Sequence, residues 1–349
     1  MLLVILHIVL SLCLLAAVLS VYLPSSLLPI PALFGLAFEW MMAAELLMGI
    51  VLLFTRHRRW TWLTVVMLVL SAAPILYTVS HGVLFFPKHE HEHSFTLMSY
   101  NTQLMGDVKK PKQNRVIQYI LRTQPDVVCL QEVEVSKSND NLTLRELREA
   151  LSIYPYTYFD FKIYNSRRQY GNAVFSRYPL TGKHTLRYES RGNITSVCDL
   201  ILPTDTLRLY INHLESNRID RKDLDFGTTT EQAQSAMAET TAKLTKASEI
   251  RLQQAQAIHD DAMRSPYPVL IVGDMNTTPV SYTYRILQRG MRDAFLESSN
   301  GQFGHTFVKH GIGVRIDYIL HSKALSASGF EVPHVDYSDH YPIMAVIHY

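Results

Sequence analysis

Acidic, amide and histidine side chains recur at the carboxyl ends of apolar segments in the later part of this chain. Asn101 follows FTLMSY, Glu132 ends VVCLQE, and His213 follows LRLYIN. A rigid sheet holds the side chains at its strand ends in fixed geometry, and active sites are commonly built there. Each residue alone is also consistent with a turn or a structural salt bridge. The functional prediction therefore depends on their joint order.

Three later motifs extend the series. The apolar segment VLIVG is followed by Asp274 and Asn276. Because alternate side chains of an extended chain point the same way, both can face one ligand. Asp317 lies within the apolar segment VRIDYIL, where a carboxylate requires a partner or a metal. Asp339 and His340 come directly before the last apolar segment. Such groups, brought together, suit the binding of a hard cation and the transfer of protons.

The ordered set SYN, LQE, YGNAVFSRYP, NHL, GDMN, RIDYIL and SDHYP resembles the motifs of the endonuclease/exonuclease/phosphatase superfamily. That superfamily includes deoxyribonucleases, abasic-site nucleases, inositol polyphosphate phosphatases and bacterial sphingomyelinases. The resemblance covers roughly residues 95–349. It implies a DNase-I-like, four-layer α/β/β/α sandwich with the site at one edge of the paired sheets, and metal-dependent hydrolysis of phosphoesters. The arginine-rich motifs of the inositol phosphatases are not found, which disfavours that branch.

The resemblance also implies which residues bind the metal and the substrate. Glu132 becomes the principal ligand of Mg²⁺, with Mn²⁺ or Ca²⁺ as alternative ions, and Asp339 is a candidate further ligand. The candidate residues for binding the phosphoester substrate are Asn101, Asn172 and Arg177.

Five matching residues are expected to carry the chemistry. Asp274 orients or deprotonates the attacking water, and Asn276 holds a phosphate oxygen. His340, oriented by Asp317, stabilises the negative charge that develops on the phosphate, as does His213. A carboxylate held against a histidine keeps the imidazole in one tautomer and favours its cation.

The pattern of apolar residues predicts the elements that position these groups. Short apolar segments are typical of strands, residues 112–123 present one apolar helical face, and a long polar helix is predicted near residues 231–263. Many strands with few intervening helices indicate an α+β sandwich. Residues 217–263 are an insertion that forms either a lid, a membrane-facing flap or a solvated surface helix. The predicted strands are FTLMSYN, DVVCLQEV and residues 173–175, 196–202, 207–212, 269–272, 316–320 and 343–347.

Residues 1–80 are predicted to form a three-span transmembrane anchor. Three apolar stretches, residues 2–23, 32–54 and 60–80, are each long enough to cross a bilayer as a helix. A cleaved signal peptide is the alternative for the first, but it lacks a basic start and a cleavage site. Residues 81–94 are a linker whose KHEHEH tract is either solvated or a transition-metal site. The sequence thus predicts an integral membrane protein of the inner or plasma membrane, in contact with the lipid bilayer.

Charge separates the two parts of the chain. Of 33 Lys and Arg and 31 Asp and Glu, only three arginines and two glutamates precede His81, so the rest of the chain is nearly neutral. Proteins that grip long nucleic acids usually carry a basic surplus, which leaves nucleic acid an open but disfavoured partner. The arginines 56, 58 and 59 lie between the second and third spans, and the positive-inside rule then places residues 95–349 outside the cytoplasm.

Three hypotheses of function follow. The first is a Mg²⁺-dependent phosphodiesterase or phosphomonoesterase acting on a membrane lipid or another phosphoester. The second is a membrane-tethered nuclease, and the third is a non-catalytic binding module on the same fold. The sequence alone defines neither the substrate nor the oligomeric state.

Overall fold

The protein divides into two compact units, each described separately below. A computed structural model describes residues 1–25, 27, 29–82, 92–106, 110–137, 142–165, 167–188, 190, 192–217, 230–299, 302–309 and 311–349. The helical unit comprises Met1–Thr78, Ser216–Gln253 and Thr277–Ile286, and the sandwich unit comprises Val79–Glu215, Gln254–Asn276 and Leu287–Tyr349. Two segments from the later part of the chain thus belong with the N-terminal helices.

The elements follow one another in a mixed order of helices and strands. They are α1 Leu2–Leu19, α2 Pro29–Gly35, α3 Phe38–Leu53, α4 Thr61–Leu70, α5 Ala72–Thr78, β1 Ser94–Asn101, α6 Arg115–Thr123, β2 Val127–Ser136, α7 Leu144–Ala150, β3 Tyr156–Tyr164, β4 Arg168–Ser176, β5 Leu180–Leu186, β6 Ile194–Ile201, β7 Thr206–His213, α8 Thr230–Ala262, β8 Val269–Asp274, α9 Tyr282–Gln288, β9 Met291–Asp293, α10 Ala294–Ser298, β10 Phe307–Lys309, β11 Ile312–Val314, β12 Asp317–Ser322, β13 Ser326–Glu331 and β14 Ile343–His348.

Two six-stranded mixed sheets form the sandwich unit. Their strand orders are β13-β14-β1-β2-β4-β3 and β5-β6-β7-β8-β12-β9, and β10 and β11 form a separate hairpin. Strand β1 runs parallel to β2, and β7 runs parallel to β8. In each parallel pair the two carboxyl ends meet at the same edge of the sheet, where side chains from both strands can converge.

Alternation along the strands builds the layers. In β1, Leu97 packs into the core shared by the two sheets, whereas Met98 packs on the outer side with α6 and α7, because successive side chains point to opposite faces. Cys129 and Val128 divide in the same way on β2. On the second sheet, the Tyr210 hydroxyl donates to Asp261 of α8, 2.7 Å away. Two sheets with helices on their outer sides fit the expected α/β/β/α sandwich.

Several predicted elements are confirmed, and others were missed. Each predicted strand is found, and the predicted long polar helix is α8. Strand β5, an edge strand, was missed because its sequence LTGKHTL leaves four successive residues exposed and shows no alternation. Most of the KHEHEH tract and residues 218–229 of the insertion lie outside the described residues. All three cysteines have free thiols, and Cys129 and Cys198 are buried in the core.

The prediction of three unbroken spans is wrong. Among the described residues, only α1 is a continuous helix long and apolar enough to cross a bilayer. The second predicted span is broken after Gly35, and its main part, α3, has 16 residues, about 24 Å at ~1.5 Å per residue. The third bends by 55° between Leu70 and Ala72, and Pro74 cannot donate the backbone hydrogen bond that would continue the helix.

The helical unit buries polar side chains and exposes apolar ones. The His7 imidazole lies 2.8 Å from Glu45 and 3.0 Å from the Thr64 hydroxyl, and Ser11 donates to the same carboxylate. All four side chains are buried between α1, α3 and α4. The exposed faces of these helices carry large apolar residues, among them Ile5, Leu6, Val9, Leu12, Leu46, Leu47, Ile50, Trp62, Val65 and Val69.

Candidate active site

Three neighbouring strands of the second sheet bring His213, Asp274 and Asp317 side by side. His213 ends β7 and is paired in register with Asp274, which ends β8. Asp317 begins the antiparallel strand β12 and is paired with Asp274 on its other side. All three side chains are buried. Because a parallel pair and an antiparallel neighbour meet here, one edge of the sheet presents two carboxylates and an imidazole.

The first sheet contributes Asn101 and Glu132 to the same site. The Asn101 amide donates to Asp274, 3.0 Å away, and lies 3.4 Å from the Glu132 carboxylate. Glu132 follows the register pair of Asn101 and Gln131, at a point where the pairing of β2 with β4 is shifted. Such a bulge redirects a side chain at the end of a strand.

Two site residues have left-handed backbone conformations although they are not glycines. Glu132 has φ +53° and Asn276 has φ +50°. Each such conformation costs of order 1–3 kcal/mol and persists where the surrounding structure enforces it. At Asn276 the backbone N–H donates to Asp274, 2.8 Å away, and the amide group donates to Asp274 and to the Leu214 carbonyl, both at 3.0 Å. Asn276 therefore fixes the Asp274 carboxylate.

His340 and Asp317 form a buried ion pair. The His340 Nδ1 atom lies 2.9 Å from Asp317, and its Nε2 atom lies 3.8 Å from Asp274. Burial alone lowers the pKa of His340, but the two carboxylates outweigh it and raise that pKa to about 10. His340 is consequently an imidazolium at neutral pH, with its Nε2 proton directed towards the site.

His213 has the opposite character. Its Nε2 atom lies 3.3 Å from Glu132 and 3.9 Å from Asp274, and its Nδ1 atom is 3.4 Å from the Tyr170 hydroxyl. Burial lowers the pKa of His213, and the neighbouring carboxylates offset this only in part. The site thus pairs one cationic imidazole with one that favours the neutral form.

The carboxylates of the site outnumber its cations. Burial raises the pKa of Asp274 to about 6 and also raises the pKa of Glu132. The negative charge of Asp339 further raises the pKa of Glu132. With Asp317, the site holds four carboxylates against the single cation of His340. An additional positive charge would stabilise their ionised forms.

The donor set fits a divalent metal ion. The described acidic and histidine side chains that lie closest together are Asp274, Asp317 and His340, but an imidazolium is protonated on both nitrogens and has no free lone pair for a metal. Glu132 is a better ligand, because its side chain is 25% exposed, and a hard cation prefers oxygen. Asn101 and Asp339 are the oxygen donors that would complete the protein's share of the coordination.

Two predicted substrate-binding residues need correction. Asn172 is buried opposite the bulge of β2, and its amide donates to the Ile211 carbonyl at 2.9 Å, so it ties the two sheets together. Arg177 follows the far end of β4, where Ser176 pairs with Val127. Its guanidinium lies 3.7 Å from Asp126, at the opposite end of β2 from Glu132. Neither side chain is available to a phosphate in the site.

Other residues at the site received no role from the sequence. Tyr170 is the first residue of the motif YGNAVFSRYP, directly before Gly171. This position was the only feature of the sequence that indicated the contact of its hydroxyl with His213. Thr306 accepts hydrogen bonds from the backbone N–H groups of Ile316 and Asp317, both at 3.1 Å, and so fixes the start of β12. The Phe307 ring packs against the His340 ring, with the two centroids 4.9 Å apart. No spacing or composition pattern marked Thr306 or Phe307.

Comparisons with known proteins agree with this architecture. A sequence profile of the Endonuclease/Exonuclease/phosphatase family matches residues 98–340, and a profile of a domain of unknown function, DUF8431, matches residues 1–78. No curated protein sequence matches the chain.

Solved structures share the fold at low sequence identity. An endonuclease/exonuclease/phosphatase from Beutenbergia cavernae DSM 12333 has a TM-score of 0.56 and 17% identity, over 74% of this chain and 72% of that chain. Truncated Caenorhabditis elegans TDP2 has a TM-score of 0.51 and 16% identity, over 74% and 99%. A family protein from Leptotrichia buccalis C-1013-b has a TM-score of 0.50 and 17% identity, over 73% and 100%.

Proposed function

Because the chain belongs to the endonuclease/exonuclease/phosphatase family, we propose that it hydrolyses a phosphodiester or phosphomonoester with the help of Mg²⁺. The observation that carries the proposal is the convergence of Asp274, Asp317 and His340 with Glu132 and His213 at one end of the two sheets. A binding module without catalysis has no need for a buried, charged and strained set of side chains.

The side chains suit attack of water on phosphorus. Asp274, held by Asn101 and Asn276, accepts the proton of the attacking water, and its raised pKa matches that task near neutral pH. The new bond joins the water oxygen to phosphorus while the bond to the leaving oxygen breaks. His340 donates a hydrogen bond from Nε2 to an oxygen on which negative charge develops.

The remaining roles concern charge and orientation. Asp317 keeps His340 protonated and oriented, and neutral His213 contributes a further polar contact to the phosphate. A Mg²⁺ ion held by Glu132, with Asn101 and Asp339 nearby, would neutralise charge on the phosphate oxygens. Asn276 acts on Asp274 rather than on the phosphate, since its amide protons already have acceptors within the protein.

We further propose that the helical unit is embedded in a lipid bilayer. Its arrangement is the inverse of a water-soluble bundle, because His7 and Glu45 are paired inside and the exposed faces of α1, α3 and α4 are apolar. Ionisable side chains in lipid turn towards the interior of a bundle and pair there. A patch of this extent is unusual on a water-soluble protein.

Membrane embedding and the nearly neutral charge of the later chain favour a lipid phosphoester over long nucleic acid. The test is a panel of sphingomyelin, phosphatidylinositol phosphates, plasmid DNA, bis(p-nitrophenyl) phosphate and p-nitrophenyl phosphate, each assayed with Mg²⁺ and with chelator. Metal-dependent hydrolysis of a lipid is the expected result. Cleavage of plasmid DNA alone would establish the membrane-tethered nuclease, and inactivity on every substrate would contradict the proposal.

The side of the membrane on which the site lies is a separate proposal. The arginines at positions 56, 58 and 59 place the turn before α4 in the cytoplasm, and a single crossing by the bent pair α4 and α5 then places residues 95–349 outside. Alkaline phosphatase fused after Tyr349 should be active, and a fluorescent protein that matures only in the cytoplasm should stay dark there. The reverse pattern would place the site in the cytoplasm.

A further inference from the structure

The segment Thr277–Ile286 directly follows the catalytic turn, yet it packs with the N-terminal helices. Asn276 is the last residue of its stretch of the sandwich unit, and the chain returns to that unit at Leu287. This ten-residue excursion is too short to form a core of its own. Its conformation therefore depends on the helices of the helical unit against which it packs.

Val280 is the centre of this packing. Its side chain is buried in a cluster with Leu14, Ala17 and Phe38 of α1 and α3. Its carbonyl oxygen lies 2.8 Å from the Ser20 hydroxyl, which ends α1. The same hydroxyl lies 2.6 Å from the Ala17 carbonyl oxygen, so its one proton is shared between the two carbonyl groups. Val280 is thus held by the apolar contact of its side chain and by this shared hydrogen bond.

Gly35 makes the close approach of the Val280 backbone possible. A Cβ atom at position 35 would lie 2.4 Å from the Val280 carbonyl oxygen and 2.5 Å from the Ser20 hydroxyl. The Thr278 hydroxyl lies 3.4 Å from the Gly35 carbonyl oxygen. The end of α2 therefore fits the segment so closely that no side chain can be added without moving it.

The second half of the segment is also attached to these helices. The Arg285 guanidinium lies 3.4 Å from the Val21 carbonyl oxygen and 5.3 Å from the Tyr22 ring. The rings of Tyr284 and Tyr77 meet edge to face, with centroids 5.9 Å apart. Contacts of both halves with the helical unit leave the segment little freedom to shift by itself.

The segment is stiff between Asn276 and Val280. The Ser281 hydroxyl donates to the Thr278 carbonyl and lies 2.8 Å from the Thr277 hydroxyl, and it accepts from the Tyr284 backbone N–H at 3.0 Å. These bonds close a compact turn immediately after Asn276, whose left-handed conformation depends on its surroundings. A displacement at Val280 is therefore expected to reach Asn276 and the carboxylate that it fixes.

We propose that Ser20 and Gly35 of the helical unit are positioning residues for the catalytic turn, acting through the segment Thr277–Ile286 on Asn276 and Asp274. The inference rests on the proposed function in assigning a catalytic role to Asp274. The N-terminal helices then act on the reaction itself, in addition to any attachment to the membrane. Changes in the packing of these helices would change turnover.

Two glycines of the helical unit provide a matched test in the full-length protein. In Gly35→Ala the atom nearest to the new methyl group is the Val280 carbonyl oxygen, whereas in Gly49→Ala the nearest atoms belong to the Thr64 side chain, at 2.7 Å and beyond. For Gly35→Ala we expect kcat on bis(p-nitrophenyl) phosphate to fall about tenfold with KM little changed, because small misplacements of a catalytic group cost turnover. Gly49→Ala should retain the kcat of the unaltered protein.

Ser20→Ala is the milder variant, since it removes a hydrogen bond and adds no bulk. It should lower kcat in the same direction, with unchanged KM and unchanged binding to lipid vesicles. If Gly35→Ala and Ser20→Ala retain full kcat, the positioning role is wrong. If Gly49→Ala loses as much turnover as Gly35→Ala, the effect is a general loosening of the helices, which also overturns the inference.

Amide hydrogen exchange makes this test independent of the reaction. The Met275 N–H donates to the Ile316 carbonyl at 2.9 Å, and the Asn276 N–H donates to Asp274. Exchange at both amides should be faster in Gly35→Ala than in Gly49→Ala. If the unaltered protein hydrolyses no phosphoester, the proposed function fails, and the exchange rates alone decide whether the helices hold the turn. Equal rates in the two variants would refute the coupling.

Discussion

The two ends of strand β12 each carry a buried histidine–carboxylate pair, and only one of the two pairs lies in the candidate active site. At its start, Asp317 is 2.9 Å from His340. Near its end, His321 is 2.7 Å from Glu297. Both pairs are almost fully buried and have similar distances, although His321 uses its Nε2 atom and His340 its Nδ1 atom. A histidine–carboxylate pair by itself therefore does not indicate catalysis.

The surroundings distinguish the two pairs. Glu297 also lies 3.6 Å from Arg292, and the His321 Nδ1 atom is hydrogen-bonded to the Ser322 carbonyl oxygen. Both members of this pair therefore have further partners within the protein. At the other end, His340 faces Asp274, and Glu132 lies nearby with a partly exposed carboxylate. At this end the carboxylates outnumber the cation of His340, and the remaining negative charge suits a metal ion and, through it, a phosphate. Substitutions at the two ends should therefore have different effects on turnover and on stability.

The largest loss of activity is expected from removing the metal or its principal ligand. Glu132→Gln keeps the size of the side chain but removes the charge that holds the ion, so hydrolysis should be nearly abolished while the fold remains. The matched control is Glu134→Gln on the same strand, where the carboxylate pairs with Arg168 at 3.1 Å. Turnover and circular dichroism of both variants provide the measurement. Full activity of the unaltered protein in excess chelator would contradict the metal-dependent mechanism.

Replacing the groups that transfer or stabilise charge should cost less. For Asp274→Asn and His340→Ala we expect losses of ~10² to 10⁴ in kcat, the usual range for a general base or a charge-stabilising donor. Both side chains are buried, so a thermal unfolding curve must accompany each rate. Losses below about tenfold in both variants would mean that the catalytic end has been assigned to the wrong residues.

The position of the site could be predicted from the sequence because its residues end or begin apolar strands. Asn101, His213 and Asp274 each end such a strand, and Asp317 begins one. Parallel pairing then places the ends of β7 and β8 together without any knowledge of distant contacts. For these residues the position at a strand end, taken together with the order of the motifs along the chain, was sufficient.

Other features depend on register or on tertiary packing and could not be predicted. Arg177 stands only five residues after Asn172, but at ~3.3 Å per residue a strand carries it about 17 Å, to the opposite edge of the sheet. The shift that redirects Glu132 arises from the pairing of β2 with β4. The packing of Val280 against α1 joins residues far apart in the sequence, and no local pattern specifies it.

Asp317→Asn should change the pH dependence more than the maximal rate. Asp317 and Asp274 together raise the pKa of His340 to about 10, so removing one carboxylate lowers that pKa. Because the cation is the active form, the loss of kcat/KM at alkaline pH should begin at lower pH in this variant. The acidic limb is set by the pKa of Asp274, which burial and the charge of Asp317 raise to about 6, so this limb should also move to lower pH in the variant. Asp199→Asn, which disturbs a partly buried pair with Arg208, is the control whose alkaline limb should not move.

The smallest effect on catalysis is expected at the other end of β12. His321→Ala breaks an almost fully buried pair and removes the nearer of the two described charged or ionisable partners of Glu297, so the free energy of unfolding should fall by roughly 3–5 kcal/mol. The reacting groups are untouched, because His321 lies four residues along the strand from Asp317. Turnover per folded molecule should therefore equal that of the unaltered protein, and thermal unfolding should begin at a lower temperature. Glu297→Gln, which keeps the shape and a hydrogen-bond acceptor, should destabilise less. If His321→Ala instead lowers kcat as strongly as His340→Ala at a temperature where both are folded, the two ends of β12 are not functionally distinct, and the surroundings of a histidine–carboxylate pair would no longer identify the catalytic one.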